Sequence, residues 1–253
     1  MPLPTLTLGE LETANDDRAG LVAAALAIRK RHLTRGERAD IEAIEERRER
    51  LIAERRPVEM RYYAQPDDSA EGGEMRWSAR AEPLGEIAER VSASRRKAMS
   101  LYGLVRELAP RRALEMGTGV GISGAYQGMA LRHAGGGEMV ALDGAPELAA
   151  VAAETFAELG LEAIEVRVGP FAETLPQALA EGAVQYAFVD GHHQEEATLA
   201  YFELLLPHAP GAALVFDDIR WSEGMLRAWE RIADDPRVEL AVDLDRYGVA
   251  FIR

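Results

Sequence analysis

The sequence has no cysteine at all and only two lysines, Lys30 and Lys97, among its 253 residues. The absence of cysteine excludes disulfides, thiolate metal sites, iron–sulfur clusters and a cysteine nucleophile. The sequence also lacks the run of about 18 apolar residues that a membrane-spanning helix needs. Residues 1–17 are acidic and do not have the basic and apolar regions of a signal peptide, so we expect a cytoplasmic protein.

The sequence has fewer basic than acidic residues, 29 against 43, and a formal net charge of -14. Residues 1–100 are nearly neutral at -1, whereas residues 101–253 carry -13. Proteins that bind nucleic acids or anionic membranes need a basic surface. The charge therefore argues against nucleic-acid and membrane partners, and we expect a small-molecule partner instead.

The first hundred residues have the pattern of helices and loops. Thr34 and Glu37 have the spacing of a capping box and predict a helix from Arg35 to Arg56. The apolar residues of this helix form a narrow stripe of Ile41, Ile44, Leu51 and Ile52. Such a stripe fits a second subunit or the protein's own domain equally well.

Residues 64–80 predict a surface loop, and Glu82 to Leu108 predicts a further helix. We therefore predict an N-terminal helical extension over residues 1–108 that acts as a lid or dimerises. A second domain is expected over residues 109–253.

From Arg112 onward, short β-rich runs alternate with helical periodicity. The β-rich runs are ALEMG (113–117), EMVALDG (138–144), IEVRVG (164–169), VQYAFVDG (184–191), AALVFDDI (212–219), VELAVDL (238–244) and YGVAFIR (247–253). This alternation predicts an α/β fold with a mostly parallel, seven-stranded sheet that is covered by helices on both faces. Only Asp245 and Arg246 separate the last two strands, which is too short for a parallel crossover, so the last strand should be antiparallel.

The first two predicted strands end in residues that suit a nucleoside-containing cofactor. The first ends in Glu115 and a glycine-rich stretch over residues 117–121, and the second ends in Asp143. Glycines let the backbone approach a ligand, and a carboxylate can accept hydrogen bonds from both ribose hydroxyls. Dinucleotides and S-adenosylmethionine both use this plan, and the glycines do match G-x-G-x-x-G. Glu115 favours S-adenosylmethionine, because the ammonium group of that cofactor needs a nearby acid.

Acidic residues also end the fourth and fifth predicted strands, at Asp190 and at Asp217-Asp218. Adjacent strands lie about 4.8 Å apart, so these carboxylates should share one pocket and repel one another. A hard divalent cation such as Mg²⁺ would remove the repulsion. The alternative is that one or two of these acids only cap loops or bind the cofactor.

Three segments together resemble the class I S-adenosylmethionine-dependent methyltransferases. They are LEMGTGVGIS (114–123), FVDGHH (188–193) and FDDIRWS (216–222). The resemblance is to small-molecule O-methyltransferases related to the catechol and caffeoyl-CoA enzymes, and more nearly to a bacterial group of largely unassigned methyltransferases. It implies a Rossmann-like methyltransferase sheet over residues 109–253.

The resemblance also implies which residues hold the cofactor. Glu115 and the backbone of Gly117, Thr118 and Gly119 would hold its amino-acid end, with Ser123 bonded to its carboxylate. Asp143 would accept the ribose hydroxyls. Gly169 and Phe171 would line the adenine, although Phe171 fits a core position beneath the third strand equally well.

The resemblance assigns the metal to Asp190, Asp217 and Asp218. In the catechol-type enzymes the last position is Asn, so Asp218 is a departure that adds a charge. His193 matches the position of those enzymes' lysine base, and histidine titrates near neutral pH. His192 would lie nearer the cofactor or bind the metal. Trp221 suits either an aromatic wall of the acceptor pocket or, the favoured interpretation, packing beneath the next helix.

These patterns predict a divalent-metal-assisted O-methyltransferase in which Asp190 and His193 are catalytic. Two alternatives stay open. One is a metal-independent N- or O-methyltransferase of small molecules, and the other is a non-catalytic cofactor-binding or assembly protein. A nicotinamide oxidoreductase is disfavoured, because no sequence is left for a substrate domain. A homodimer through the N-terminal helices is also expected.

Overall fold

The computed structural model describes residues 5–11, 13–30, 33–63, 75–77 and 81–253. The elements of its N-terminal part are β1 (Leu6–Thr7), α1 (Asp17–Leu26), α2 (Arg35–Ala53), β2 (Pro57–Val58), β3 (Arg61–Tyr63), β4 (Met75–Trp77), β5 (Glu82–Pro83), α3 (Leu84–Val91) and α4 (Arg95–Leu108). Most of the predicted loop at 64–80 lies outside the described residues. Its residues 75–77 were expected in the loop but form β4, which pairs with β3.

Helix α2 confirms the capping box but ends earlier than predicted. The Thr34 Oγ1 atom accepts the Glu37 N–H at 3.2 Å, and Glu37 accepts the Thr34 N–H at 2.8 Å. The helix stops at Ala53, not Arg56, because the next carbonyls serve the start of α3. Those of Glu54 and Arg56 accept the first backbone N–H groups of α3.

The apolar stripe of α2 is covered by the protein's own core. Ile41, Ile44 and Leu51 are buried in one cluster with residues of α3, α4 and α5, the helix of residues 122–133. Of the two interpretations of the stripe, packing on the protein's own domain is the one observed. The stripe therefore no longer supports the predicted homodimer.

The segment from Glu82 to Leu108 is two helices and not the single one predicted. Residues Ser92 and Ser94 are extended, and the Ser94 Oγ atom caps α4 by accepting the Lys97 N–H at 3.4 Å. Serine caps helix starts well, because its side chain satisfies an N–H that has no partner within the helix. The break turns the first residues of α4 toward the central sheet.

The C-terminal part alternates strands and helices as predicted. Its elements are β6 (Arg112–Met116), α5 (Ile122–His133), β7 (Glu138–Asp143), α6 (Pro146–Glu158), β8 (Ile164–Val168), α7 (Phe171–Ala180), β9 (Tyr186–Val189), α8 (Glu195–Leu205), β10 (Ala213–Asp217), α9 (Glu223–Ala233), β11 (Val238–Asp243) and β12 (Tyr247–Ile252). Strands β6 to β10 pair in parallel, and β12 is antiparallel to both β10 and β11.

The sheet has eight strands in the order β1-β11-β12-β10-β9-β6-β7-β8. The seven predicted strands and the antiparallel last strand are confirmed. The eighth strand, β1, pairs in parallel with β11 and was missed because two residues cannot show an alternating pattern. Apolar clusters cover both faces of the sheet. No helix in the described part of the chain has the length and apolar character of a membrane span.

Helices α1 and α4 pack so closely that a side chain at Gly103 would collide with the backbone. A Cβ atom built there would lie 2.2 Å from the Ala25 carbonyl oxygen. We therefore expect Gly103→Ala to lower the free energy of unfolding by about 1–3 kcal/mol, the usual cost of overpacking. Urea unfolding of the full chain measures this loss.

Gly20→Ala in α1 is the matched control, because a Cβ atom there meets nothing within 4 Å. Alanine is the better helix former by about 1 kcal/mol, so the control should be neutral or stabilising. Equal stability of the two variants would contradict the close packing of α1 on α4.

Candidate active site

The carboxyl ends of β6, β7, β9 and β10 border one cavity of about 570 Å³. Strand register brings the acids together: Val189 is the partner of both Met116 and Phe216, so Asp190 and Asp217 follow on adjacent strands. The opposite wall comes from the break between α3 and α4, over residues 90–97. The segment predicted as an extension thus forms part of the cavity.

The glycine loop after β6 is held against β7 and β9 by close backbone contacts. Gly117, Gly119 and Gly121 have positive φ values of 83°, 55° and 86°. A Cβ atom at Gly117 would lie 1.9 Å from the Asp190 carbonyl oxygen, so only glycine fits there. The loop that precedes α5 therefore touches the loop that follows β9.

Asp143 closes the other side of the glycine loop and faces the cavity. Its two carboxylate oxygens accept the backbone N–H groups of Gly119 and Ala145, each at 2.7 Å. Burial raises the pKa of Asp143 to about 6, although both backbone hydrogen bonds oppose the rise. The glycine loop therefore already holds Asp143, the residue predicted to bind the ribose, in place.

Glu115 is fully buried and does not belong to the described lining of the cavity. Its carboxylate accepts hydrogen bonds from Thr118 at 2.7 Å and Gln127 at 2.8 Å, and a further one from Ser123. Burial raises its pKa, and these three neutral donors lower it only in part. Two of the other expected cofactor residues, Thr118 and Ser123, therefore both donate to Glu115.

The residues expected around the adenine and beside the cofactor are packed away from the cavity lining. Phe171 is buried at the start of α7 and lies edge-on to His192 and Tyr201, with ring centroids 5.3 and 5.9 Å away. The His192 Nδ1 atom contacts the Tyr201 hydroxyl. Phe171 thus has the core position that was the alternative interpretation, and the cofactor roles of Gly169, Phe171 and His192 stay predictions.

His193 faces the cavity, whereas its neighbour His192 faces the core. Both have positive φ values, 62° for His192 and 35° for His193, which is uncommon for residues with a side chain. The His193 Nε2 atom lies 3.5 Å from Asp190 Oδ1. The tight turn after β9 therefore directs one imidazole to the acid predicted to be catalytic.

Lys97 was assigned to no site from the sequence, yet its side chain reaches the strand ends. Its Nζ atom contacts Asp217 Oδ2 and lies 3.6 Å from Asp190 Oδ2 and 5.3 Å from the centre of the Phe188 ring. Burial lowers the pKa of Lys97, but the charges of Asp190 and Asp217 outweigh it and raise the pKa. Ser94, a residue type that favours helix starts, is the sequence signal that could have placed Lys97 in the first turn of a helix.

The carboxylates around Lys97 differ in burial: Asp217 is buried, whereas Asp190 and Asp218 are partly exposed. Asp217 is only 2% exposed, and burial together with the charge of Asp190 raises its pKa to about 7. Burial also raises the pKa of Asp190, with Lys97 opposing it. Asp218 lines the same cavity with a positive φ of 48°. The three acids predicted as metal ligands thus border one cavity.

The predicted metal set does not fit a metal ion. Lys97 lies between Asp190 and Asp217, so these two carboxylates already share a positive charge. Within the described ranges, no three or more His, Cys, Asp or Glu side chains are arranged to hold a metal ion. Magnesium therefore stays a prediction that this geometry does not support.

Trp221 is 71% exposed at the rim of the cavity, with its ring centroid 6.3 Å from that of His193. The favoured sequence interpretation, packing beneath the following helix, is wrong. The backbone N–H of Trp221 donates to the Asp218 carbonyl at 2.8 Å, and this turn directs the indole outward before α9 begins. An exposed aromatic ring next to the cavity is suited to contact a ligand.

Comparisons with known proteins agree with the motifs. Residues 114–219 match the family model described as a methyltransferase domain. An O-methyltransferase from Bacillus cereus in complex with SAH is 26% identical, with a TM-score of 0.56 over 64% of this chain and 83% of its own. The cofactor-bound protein Rv0187 from MTB is 25% identical, with a TM-score of 0.57 over 65% of this chain and 83% of its own.

A third structure matches along the whole length. The SAH-bound methyltransferase PaMTH1 of Podospora anserina has a TM-score of 0.62 over 100% of this chain and 99% of its own, and its 18% identity shows the fold alone. A search of curated proteins gave no match. The chain therefore carries a methyltransferase domain over residues 114–219, and this match, the two similar structures and the Rossmann-like sheet are consistent with a class I S-adenosylmethionine-dependent methyltransferase of the O-methyltransferase-like group.

Proposed function

We propose that the enzyme methylates a hydroxyl group of a small molecule. One observation carries the proposal: a single cavity joins the glycine loop and Asp143 to the cluster of Asp190, His193 and Asp217. Its volume of about 570 Å³ falls within the range of small-molecule sites. The net charge of -14 disfavours a nucleic-acid acceptor. The O-methyltransferase from Bacillus cereus supports oxygen as the methylated atom.

Of the two predicted forms of this activity, we favour the one without a divalent metal. The contact of Lys97 with Asp217 supports this choice, because an ammonium group between the carboxylates repels a second cation. A homodimer through the N-terminal helices remains a separate expectation, and the cavity as described does not depend on it.

The cofactor end of the cavity suits the nucleoside and the amino acid of S-adenosylmethionine. Asp143 would accept the ribose hydroxyls, and the backbone at Gly117 and Gly119 would face the amino-acid end. Glu115 would act from beneath, by fixing Thr118 in the loop. The acidic lining also suits a cofactor with a positively charged sulfonium.

When bound, S-adenosylmethionine would supply the methyl group. The carbon–oxygen bond to the acceptor forms as the carbon–sulfur bond breaks, and the electrons of the broken bond stay on sulfur. His193 takes the proton of the acceptor hydroxyl, since a neutral hydroxyl is a poor nucleophile. Asp190 lies 3.5 Å from His193 Nε2, which leaves Nδ1 to receive the proton. Asp190 then stabilises the imidazolium ion. Trp221 offers its indole face to an aromatic acceptor.

Asp143→Asn tests the cofactor site. We expect the affinity for S-adenosylmethionine to fall about 10- to 100-fold, because hydrogen bonds to a charged group contribute about 1.5–3 kcal/mol. Isothermal titration calorimetry on the full chain measures the change. Asp234→Asn, which alters an exposed cap of α9, is the control and should bind normally. Unchanged affinity in Asp143→Asn, or binding of a nicotinamide dinucleotide in place of S-adenosylmethionine, would contradict this site.

His193→Gln tests the base. With a panel of phenols and catechols, we expect kcat at pH 7 to fall about 100-fold or more, as general bases usually contribute that much. The deficit should shrink at high pH, where the acceptor hydroxyl ionises without help. Cofactor affinity should not change. His208→Gln, in the short 3₁₀ helix after α8, is the control. A full rate at pH 7 in His193→Gln excludes His193 as the base.

A further inference from the structure

We propose that the Lys97 ammonium group is the cation that holds the acceptor oxygen during methyl transfer. Lys97 comes from the segment before the methyltransferase domain match, and no motif of that domain includes it. The inference rests on the proposed function, since it names the residue that binds the reacting oxygen of that same site.

The fold places the ammonium group where the strand-end carboxylates meet. Lys97 is in the first turn of α4, which starts at the break after α3, and 14% of its side chain is exposed. Its Nζ atom contacts Asp217 and lies 3.6 Å from Asp190. All three side chains line the cavity. The ammonium group is therefore fixed at the cavity wall.

Lys97 and the sulfonium of the cofactor together offset the charges of Asp190 and Asp217. Asp190 and Asp217 are close enough to interact directly, and alone they would form a buried pair of like charges. Lys97 neutralises one of these charges, and the sulfonium of the cofactor brings the second positive charge. Asp218, which lines the same cavity, carries a further negative charge beyond these two.

The ammonium group also has hydrogen-bonding capacity left for a ligand. It carries three N–H donors, and Asp217 takes one of them. The face of the Phe188 ring, 5.3 Å away, cannot take a second as strongly as an oxygen would. A remaining N–H can therefore donate to the acceptor oxygen as negative charge develops on it. The proton of that oxygen goes to His193, as in the proposed function.

Lys97→Met and Lys97→Arg of the full chain test the proposal, with Lys30→Met, the only other lysine of the sequence, as the matched control. Turnover is measured as S-adenosylhomocysteine formed from S-adenosylmethionine and the same phenol and catechol panel, with EDTA or with added Mg²⁺. We expect the unmodified enzyme and Lys30→Met to be active and equally so in both conditions. Lys97→Met should lose at least 100-fold in kcat/KM, the size of effect that follows removal of one oxyanion donor, with cofactor binding retained. Lys97→Arg should retain more activity than Lys97→Met.

Two readouts do not depend on turnover. The visible spectrum of bound 4-nitrocatechol should show its ionised form in the unmodified protein, and the protonated form in Lys97→Met at the same pH. Electron paramagnetic resonance should detect no Mn²⁺ bound by the unmodified protein. It should detect bound Mn²⁺ in Lys97→Met, where the carboxylates are free.

The double variant Lys97→Met/Asp217→Asn removes both charges of the contact, so it should fold even if Lys97→Met does not. It should be as inactive as Lys97→Met.

Loss of activity in EDTA with recovery in Mg²⁺, tight Mn²⁺ binding by the unmodified protein, or full activity of either Lys97→Met protein would overturn the proposal. Failure of the proposed function looks different. In that case the unmodified enzyme would transfer methyl groups to no acceptor of the panel, while the nitrocatechol and Mn²⁺ readouts would still report on Lys97.

Discussion

The rest of the structure depends on accommodating carboxylates at the ends of parallel strands, of which Glu115, Asp143 and Asp217 are buried. Removing a carboxylate from water is costly unless hydrogen bonds or opposite charge replace the water. The fold solves this problem in three different ways along one edge of the sheet. Neutral side chains bind Glu115, backbone N–H groups bind Asp143, and an ammonium group lies beside Asp190 and Asp217. The groups that replace water around each acid determine whether that acid can also contact a ligand.

Under the proposed function, these differences separate supporting acids from those at the reacting end. The donors around Glu115 come from the glycine loop and α5, so this acid mainly fixes the loop. Asp143 is held by the same loop but faces the cavity. Asp190 and Asp217 depend on one lysine that is supplied from outside the alternating part of the chain. The N-terminal segment is therefore a structural component of the reacting end and not only a cover for it.

Much of the fold followed from local sequence, because periodicity and caps are local properties. The seven longer strands, the antiparallel end and the capping box of α2 were all predictable in this way. The strand-end acids were also predictable, since parallel strands end at a common edge. The contact between Lys97 and Asp217 joins residues 120 positions apart and depends on a helix break that the pattern of Glu82 to Leu108 did not reveal. Trp221 was misjudged for a similar reason, since a turn at Asp218 directs its ring outward.

The close approach of Gly117 to the Asp190 carbonyl joins the two halves of the cavity through the backbone. Under the proposed function, main-chain atoms thus set the spacing between the cofactor half and the acceptor half. Side chains at the rim, such as Trp221 and Arg246, are free of that task. In the proposed reaction, substitutions at the rim would change which molecule enters while leaving that backbone contact in place. Under that proposal, acceptor preference is open to redesign at the rim, whereas the spacing of the two halves belongs to the fold.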